Sequence, residues 1–253
     1  MNKLITLIAG AIGVAALITS CDNVSEPDRF IPAEIVAQRA ILIEEFTGQR
    51  CTNCPDGHVA IKEITSALGD SVVAVGIHAS NLGINFPNGL KTTTGEEYYK
   101  AVGSPALPTA VINMQTSPLQ VAEWGAAIDR LIMTPTPFTV KADTKIDGDN
   151  FNISVALCSG QDYSGRLMVW VCENDIVKLQ IDHGVTITDY VHNHVFRAAA
   201  TSDIWGKAVS LKAHEAQYLD FSCPIDSRWN KDEIYAVAFL YNNAGVAQVT
   251  STH

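Results

Sequence analysis

An apolar run, AILIEEF (residues 40–46), leads into two cysteines three apart, Cys51 and Cys54, and then into a stretch of helical spacing. Apolar residues at 60/61, 64 and 67/68 predict a helix from Pro55 to Leu68, closed by Gly69. A second uninterrupted apolar run follows, VVAVGI at 72–77. Strand, cysteine pair, helix and strand in that order predict a βαβ unit with a right-handed crossover. The pair then sits at the sheet edge where the helix begins. With Pro55 as the first helical residue, Cys54 becomes the cap and Cys51 lies a turn short of the helix. Unsatisfied N–H groups and the helix dipole favour a thiolate at a helix start, and Cys51, a turn short of it, would feel less of that effect. Arg50 adds a neighbouring cation, and Cys54 is close enough to resolve a mixed disulfide. Three uses of the pair remain open: a redox couple, a fixed disulfide, or a metal clip. A disulfide closing so short a loop adds little stability. Structural zinc wants four N/S ligands, and the chain has no second CxxC.

The rest of the first half continues the pattern. A polar insert, 79–102, leaves the same sheet edge and carries Phe86, Tyr98 and Tyr99, residues suited to one wall of a groove beside the cysteines. His78 ends the second strand, where it faces either Cys51 or a substrate. TAVIN (109–113) is a third strand, and SPLQ (117–120) reads as a capping box with Pro118 at the first helical position. Val121, Trp124, Ile128 and Leu131 would share one face of that helix.

The opening MNKLITLIAGAIGVAALITSC has a charged start, an apolar segment and a small-residue exit, the features of a secretory signal over residues 1–20. Its end resembles the lipobox of bacterial lipoproteins, which implies acylation of Cys21 and a lipidated tether over 21–38. The formal charge of −10 argues against nucleic acid as a partner. Pro135 and Pro137 mark a stiff linker at 134–137 between a domain at 39–133 and another at 138–253. The latter offers seven strand-like runs separated by turn signals such as DGDN and NNAG, an antiparallel sandwich of immunoglobulin-like size. Of six cysteines, five remain once Cys21 is set aside. A hairpin formed by 151–158 and 166–172 would hold Cys158 and Cys172 beyond disulfide reach, so any bridge should join Cys223 to one of them. His192 and His194, two apart, would share a strand face, but no carboxylate or third histidine supports a metal site there.

Residues 39–133 resemble the thioredoxin superfamily: beyond CxxC, Leu107-Pro108-Thr109 stands where that family has its cis-proline segment. The resemblance implies a cis peptide at Pro108 beside Cys51, backbone pairing of substrate by Leu107 and Thr109, and a buried proton-handling acid at Glu45. Three features depart from the family: too few residues precede the first strand, the last hairpin strand is missing, and Pro55 directly follows Cys54. The motifs EEFTGQRCTNCPDGH and DYVHNHVFRA, with the lipoprotein start, resemble the Omp28-related outer-membrane lipoproteins over nearly the whole chain. The expectation is therefore a reduced thioredoxin-like α/β domain with an insert, then an all-β sandwich, held at the outer membrane by lipid. It would exchange disulfides with exported proteins through Cys51, Cys54, Glu45 and Pro108, with Leu107, Thr109 and His78 at the substrate. Such chemistry calls for a redox partner and no cofactor. The rival expectation is a binding protein, an adhesin or assembly component, whose CxxC is a structural disulfide.

Overall fold

The computed structural model describes residues 37–253, so the signal, tether and Cys21 expectations lie outside the described residues. Strands dominate. β1 (Ile41–Thr47), helix α1 (Cys54–Leu68) and β2 (Val72–His78) form the expected βαβ unit, with β1 and β2 parallel in the register Ile41–Val72 to Thr47–His78. All seven residues of each strand are buried, which is why both read as unbroken apolar runs rather than as alternation. The insert folds into α2 (Thr93–Ala101), capped by Thr92 Oγ1 accepting from Gly95 N. β3 (Thr109–Ile112) lies antiparallel to β1.

Two details differ from the sequence reading. The cap of α1 is Asn53, so Cys54 is already helical and Pro55 is second. Proline is tolerated there because the first-turn N–H groups have no intrahelical acceptor anyway. The capping box before α3 (Trp124–Ile132) is formed by Gln120 and Glu123, not Ser117 and Gln120. A 3₁₀ turn over Val121–Glu123 replaces the predicted first helical turn, and residues 117–119 instead run beside β3, where Ala110 and Leu119 exchange backbone bonds.

The strand-rich half contains ten strands, not seven. They are β4 (Phe138–Asp147), β5 (Asn150–Ser159), β6 (Tyr163–Glu173), β7 (Ile176–Asp182), β8 (Val185–His192), β9 (Val195–Ala199), β10 (Lys207–Leu211), β11 (Ala216–Pro224), β12 (Ile234–Asn242) and β13 (Gly245–Ser251). One sheet runs through both halves in the order β13-β12-β6-β9-β2-β1-β3, with β10 also beside β6. Its joint is a parallel contact at Gly76 and Val195, with Gly76 N donating to His194 O over 2.7 Å. Buried Asn113 stitches the far side: its Nδ2 donates to Val246 O, and its Oδ1 accepts from Leu42 N. A second sheet, β11-β5-β4, faces β6 and β12 across a core that includes Phe151, Ile153, Leu167, Val169 and Ala236. The opposite residues of β6, Met168, Trp170 and Cys172, join a different core under α2 with Leu42, Phe46 and Tyr98. A third core, Ile41, Ile43, Ile61 and Trp124, lies beneath α1 and α3.

The expected hairpin of β5 and β6 does not exist, because each strand pairs within a different sheet. Cys158 and Cys223 occupy opposite ends of the small sheet and Cys172 sits in the large one, so no pair can meet. All three are buried free thiols, which corrects the bridge expected at Cys223. Among the described residues no helix is long and apolar enough to cross a membrane.

Candidate functional site

Cys51 and Cys54 are joined in a disulfide, Cα atoms 5.4 Å apart, at the N-terminus of α1. The loop closes on itself: Cys51 N donates to Gly48 O, and Cys54 N donates to Cys51 O. Gly48 has no room for a side chain, since a Cβ there would lie 2.9 Å from the Leu82 carbonyl carbon of the insert. Arg50 N donates to Leu82 O, and Gln49 Oε1 accepts from Leu90 N, so the insert touches the cysteine loop through these residues. The aromatics expected to form that wall lie elsewhere, Tyr98 and Tyr99 buried in the α2 core and Phe86 against Arg197 and Arg228.

Against the first turn of α1 lies Glu45. Its Oε1 is buried without a hydrogen-bond partner, and desolvation raises its pKa to about 8. At neutral pH the group is therefore mostly the carboxylic acid. Gly57, in the first turn of α1, makes this arrangement possible. A Cβ on Gly57 would come within 2.7 Å of Glu45 Oε1, 3.1 Å of the Trp124 ring and 3.3 Å of Pro108 Cβ. Glu45, Trp124 and Pro108 thus converge beneath the turn that carries Cys54. The Leu107–Pro108 peptide is cis, as the sequence resemblance implied. Leu107 packs half-buried against the α2 core, while Thr109 is buried with its Oγ1 donating to Leu119 O.

Sequence reasoning passed over His58, one helical turn after Cys54; that i+4 spacing was the signal available. Its Nε2 lies 3.0 Å from Thr47 Oγ1 and 3.7 Å from Glu45 Oε1, and its Nδ1 lies 2.8 Å from Tyr190 OH. His78 is buried rather than open, its ring 5.2 Å from that of His192, which in turn stands 6.1 Å from His58. Burial, reinforced by the neighbouring imidazoles, pushes His58 down to about 3 and holds His78 well below its usual value; burial also lowers His192 to about 4. The cluster is therefore neutral at physiological pH. His194 goes elsewhere: β8 ends at His192, and His194 Nδ1 lies 3.3 Å from Tyr235 OH, so the pair does not share a face. Among the described residues no three His, Cys, Asp or Glu side chains form a metal-holding group.

Also unforeseen is the β7–β8 hairpin, which forms its own two-stranded sheet and lies on the cysteine loop. Ile181 N donates to Gln49 O at 2.8 Å, His183 N to Thr52 O at 2.9 Å, and Gln49 Nε2 to Leu179 O at 3.0 Å. A register shift between Lys178 and Gln180 accompanies the inward turn of Gln180, whose Nε2 donates to Cys51 O at 3.0 Å and Gly48 O at 3.3 Å. Under this cover Cys51 is 3% exposed and Cys54 is inaccessible. Beside it, a cleft of about 510 Å³ between α1 and the end of the hairpin is bordered by Glu45, His58, Val59, Tyr190, Val191 and His194.

A family model described as outer membrane protein Omp28 matches residues 95–253, well over half of the chain. The chain belongs to the Omp28 family. No curated protein matches this Omp28 chain. Among solved structures, HBP35 of Porphyromonas gingivalis is similar with a TM-score of 0.69 at 17% identity, over 85% of this chain and 75% of that one. A structural-genomics target from Agrobacterium tumefaciens is similar with a TM-score of 0.53 at 18% identity, over 85% of this chain and 95% of that one. Identities this low make both likenesses ones of fold. The matched Omp28 segment covers most of α2, then β3, α3 and the strand-rich half, whereas the cysteine loop at 51–54 lies before it.

Proposed function

We propose that this Omp28 protein is a lipoprotein anchored through Cys21, on the periplasmic face or the cell surface. Its 39–133 unit is thioredoxin-like, and it exchanges disulfides with exported proteins. The observation that carries this reading is Glu45. A carboxyl oxygen buried without a hydrogen-bond donor, with only a neutral imidazole 3.7 Å away, costs stability, and a structural staple has no use for it. In the exchange, a substrate thiolate attacks Cys51 Sγ, the Cys51–Cys54 bond breaks, and Cys54 leaves as a thiolate that takes up a proton supplied by Glu45. A second substrate thiol then attacks the mixed disulfide at the substrate sulfur. The products are a substrate disulfide and a reduced Cys51/Cys54 pair, two electrons richer, which a dithiol–disulfide partner reoxidises. Run backwards, the same steps reduce a substrate. In this reading Leu107 and cis-Pro108, with Thr109 behind them in β3, offer backbone to an extended substrate. His78 serves through the buried imidazole cluster rather than by touching substrate. The hairpin has to lift for any of this, and its exposed Val177, Val185 and Val191 give an unfolded substrate an apolar strip to meet first.

A second reading draws on the burial of Cys51. A disulfide sealed beneath a hydrogen-bonded hairpin suits a fixed staple in a binding protein, an adhesin or assembly component that works through its strand-rich half as an immunoglobulin-like sandwich. The reduction potential of the pair in glutathione buffers separates the two. A value between about −120 and −270 mV fits exchange, and one below about −300 mV marks a staple.

A further inference from the structure

Successive residues of β1 point to opposite faces of the sheet, so Glu44 is turned away from the cysteine helix and toward α2. There it lines a cavity of about 330 Å³ whose other main walls are Tyr98, Trp170, Trp205, Met114 and Met168. Glu44 is 5% exposed, and among the described residues its carboxyl has neither a hydrogen bond nor an ion pair. No Lys, Arg or His lines the cavity. Thr116, a further polar neighbour, is already used, its Oγ1 accepting from Ile112 N.

The aromatic walls are held in place. Trp170 Nε1 donates to Tyr98 OH, which donates to Ile204 O. The Tyr98 ring stands 5.3 Å from Trp170 and 5.2 Å from Trp205, the latter edge-on. Trp205, 39% exposed, forms the mouth. A carboxyl lining an aromatic-walled cavity that has no cationic side chain lacks a charge partner. Aromatic faces attract a cation, and the carboxylate neutralises it. A metal ion would lack ligands here, and a neutral apolar molecule would leave Glu44 unpaired.

We infer that this cavity is a binding site for a small organic cation, an alkyl-substituted ammonium, held by Glu44 against Tyr98, Trp170 and Trp205. Burial raises Glu44 to about 8, so cation binding at pH 7 ionises the group and releases up to one proton. The site is on the other face of the sheet from the disulfide, and its occupancy does not depend on the cysteines.

The test is a titration of the full chain with choline and with its neutral isostere 3,3-dimethylbutan-1-ol, followed by tryptophan fluorescence and by calorimetry in buffers of different ionisation heat. The expected result is binding of choline at least about ten-fold tighter than of the neutral analogue, with a buffer-dependent heat. Glu44→Gln should abolish both the preference and the buffer dependence, and leave the rate of Cys51–Cys54 reduction unchanged. Equal binding of the two probes, saturable binding by neither, or a preference that survives Glu44→Gln would each overturn the proposal. Should the variant fail to fold, the two-probe comparison and the proton release in the unaltered chain still decide it.

Discussion

Replacing Gln180 by alanine should unlatch the hairpin from the cysteine loop. Gln180 is fully buried, and its Nε2 serves the carbonyls of Cys51 and Gly48 across the interface. Each carbonyl keeps one other donor, Cys54 N and Cys51 N respectively, so the loss falls at the low end of the penalty for an unsatisfied group. That is about 1 kcal/mol per carbonyl and about 2 kcal/mol together. In the lifted state water serves both carbonyls, so their loss favours opening; the void left by the side chain adds to this, and relief of its buried, unpaired Oε1 subtracts a similar amount. A shift of about 2 kcal/mol raises the open population roughly 30-fold. When reclosing outpaces attack by the reductant, the reduction rate follows that population. The assay is native-state reduction of Cys51–Cys54 by dithiothreitol, quenched by alkylation and read as mass. Cys172, inaccessible in the α2 core, supplies the internal control, because its labelling reports global opening. The expected result is a rate for the disulfide roughly 30 times that of the parent chain, with Cys172 labelling little changed. A rate within about three-fold of the parent would show that the hairpin does not gate the pair. Parallel acceleration of Cys172 labelling would show that reduction proceeds through global unfolding.

Stability should peak near pH 6.5. Glu44 and Glu45 are raised to about 8, so the stability they contribute is complete below their unfolded value of about 4.5 and is lost as pH climbs through 8, by about 2 kcal/mol each between pH 6.5 and 8.5. His58, His78, His192 and His194 are lowered by burial, so their contribution is complete above about 6.5 and is lost as the pH falls. Urea denaturation across pH 5–9 reads the curve; Glu45→Gln should halve the alkaline fall, and a flat curve would mean that the carboxyls ionise freely. Gly57→Ala should cost at least about 2 kcal/mol by forcing α1 off Glu45, Trp124 and Pro108; a melting point unchanged by the substitution would refute that close approach. Cys158, Cys172 and Cys223 should resist alkylation in the native chain and react fully in denaturant. Fast native labelling of any of them would contradict its burial.

The βαβ unit was legible because its information is local. Two strands buried on both faces read as apolar runs, and the helix between them carries its own period and its own terminal glycine. The strand-rich half was legible only as strands. β5 and β6 adjoin in sequence with a short polar link, yet each pairs elsewhere, because pairing is decided by which apolar faces must cover each other across the chain. β7 was missed for a related reason. Its exposed and half-buried residues leave Gln180 as the one fully buried side chain, so it carries no apolar stripe to detect.

The candidate site divides along the same line. Cys51, Cys54, Glu45 and Pro108 could be placed from spacing and resemblance, since each is set by the segment that holds it. Gln180, Tyr190 and His192 reach the site from more than 110 residues away along the chain, through hydrogen bonds and ring contacts that no periodicity encodes. The residues proposed for exchange were therefore readable, while those that cover them were not. Whether the pair works as a couple or rests as a staple is a matter of access, and it depends on the second group. A side chain such as Gln180, polar and wholly buried on an otherwise unremarkable strand, is there because it satisfies carbonyls of the cysteine loop. Its amide fixes the hairpin on the cysteine loop, and if those few hydrogen bonds set how often the pair is uncovered, Gln180→Ala must speed its reduction.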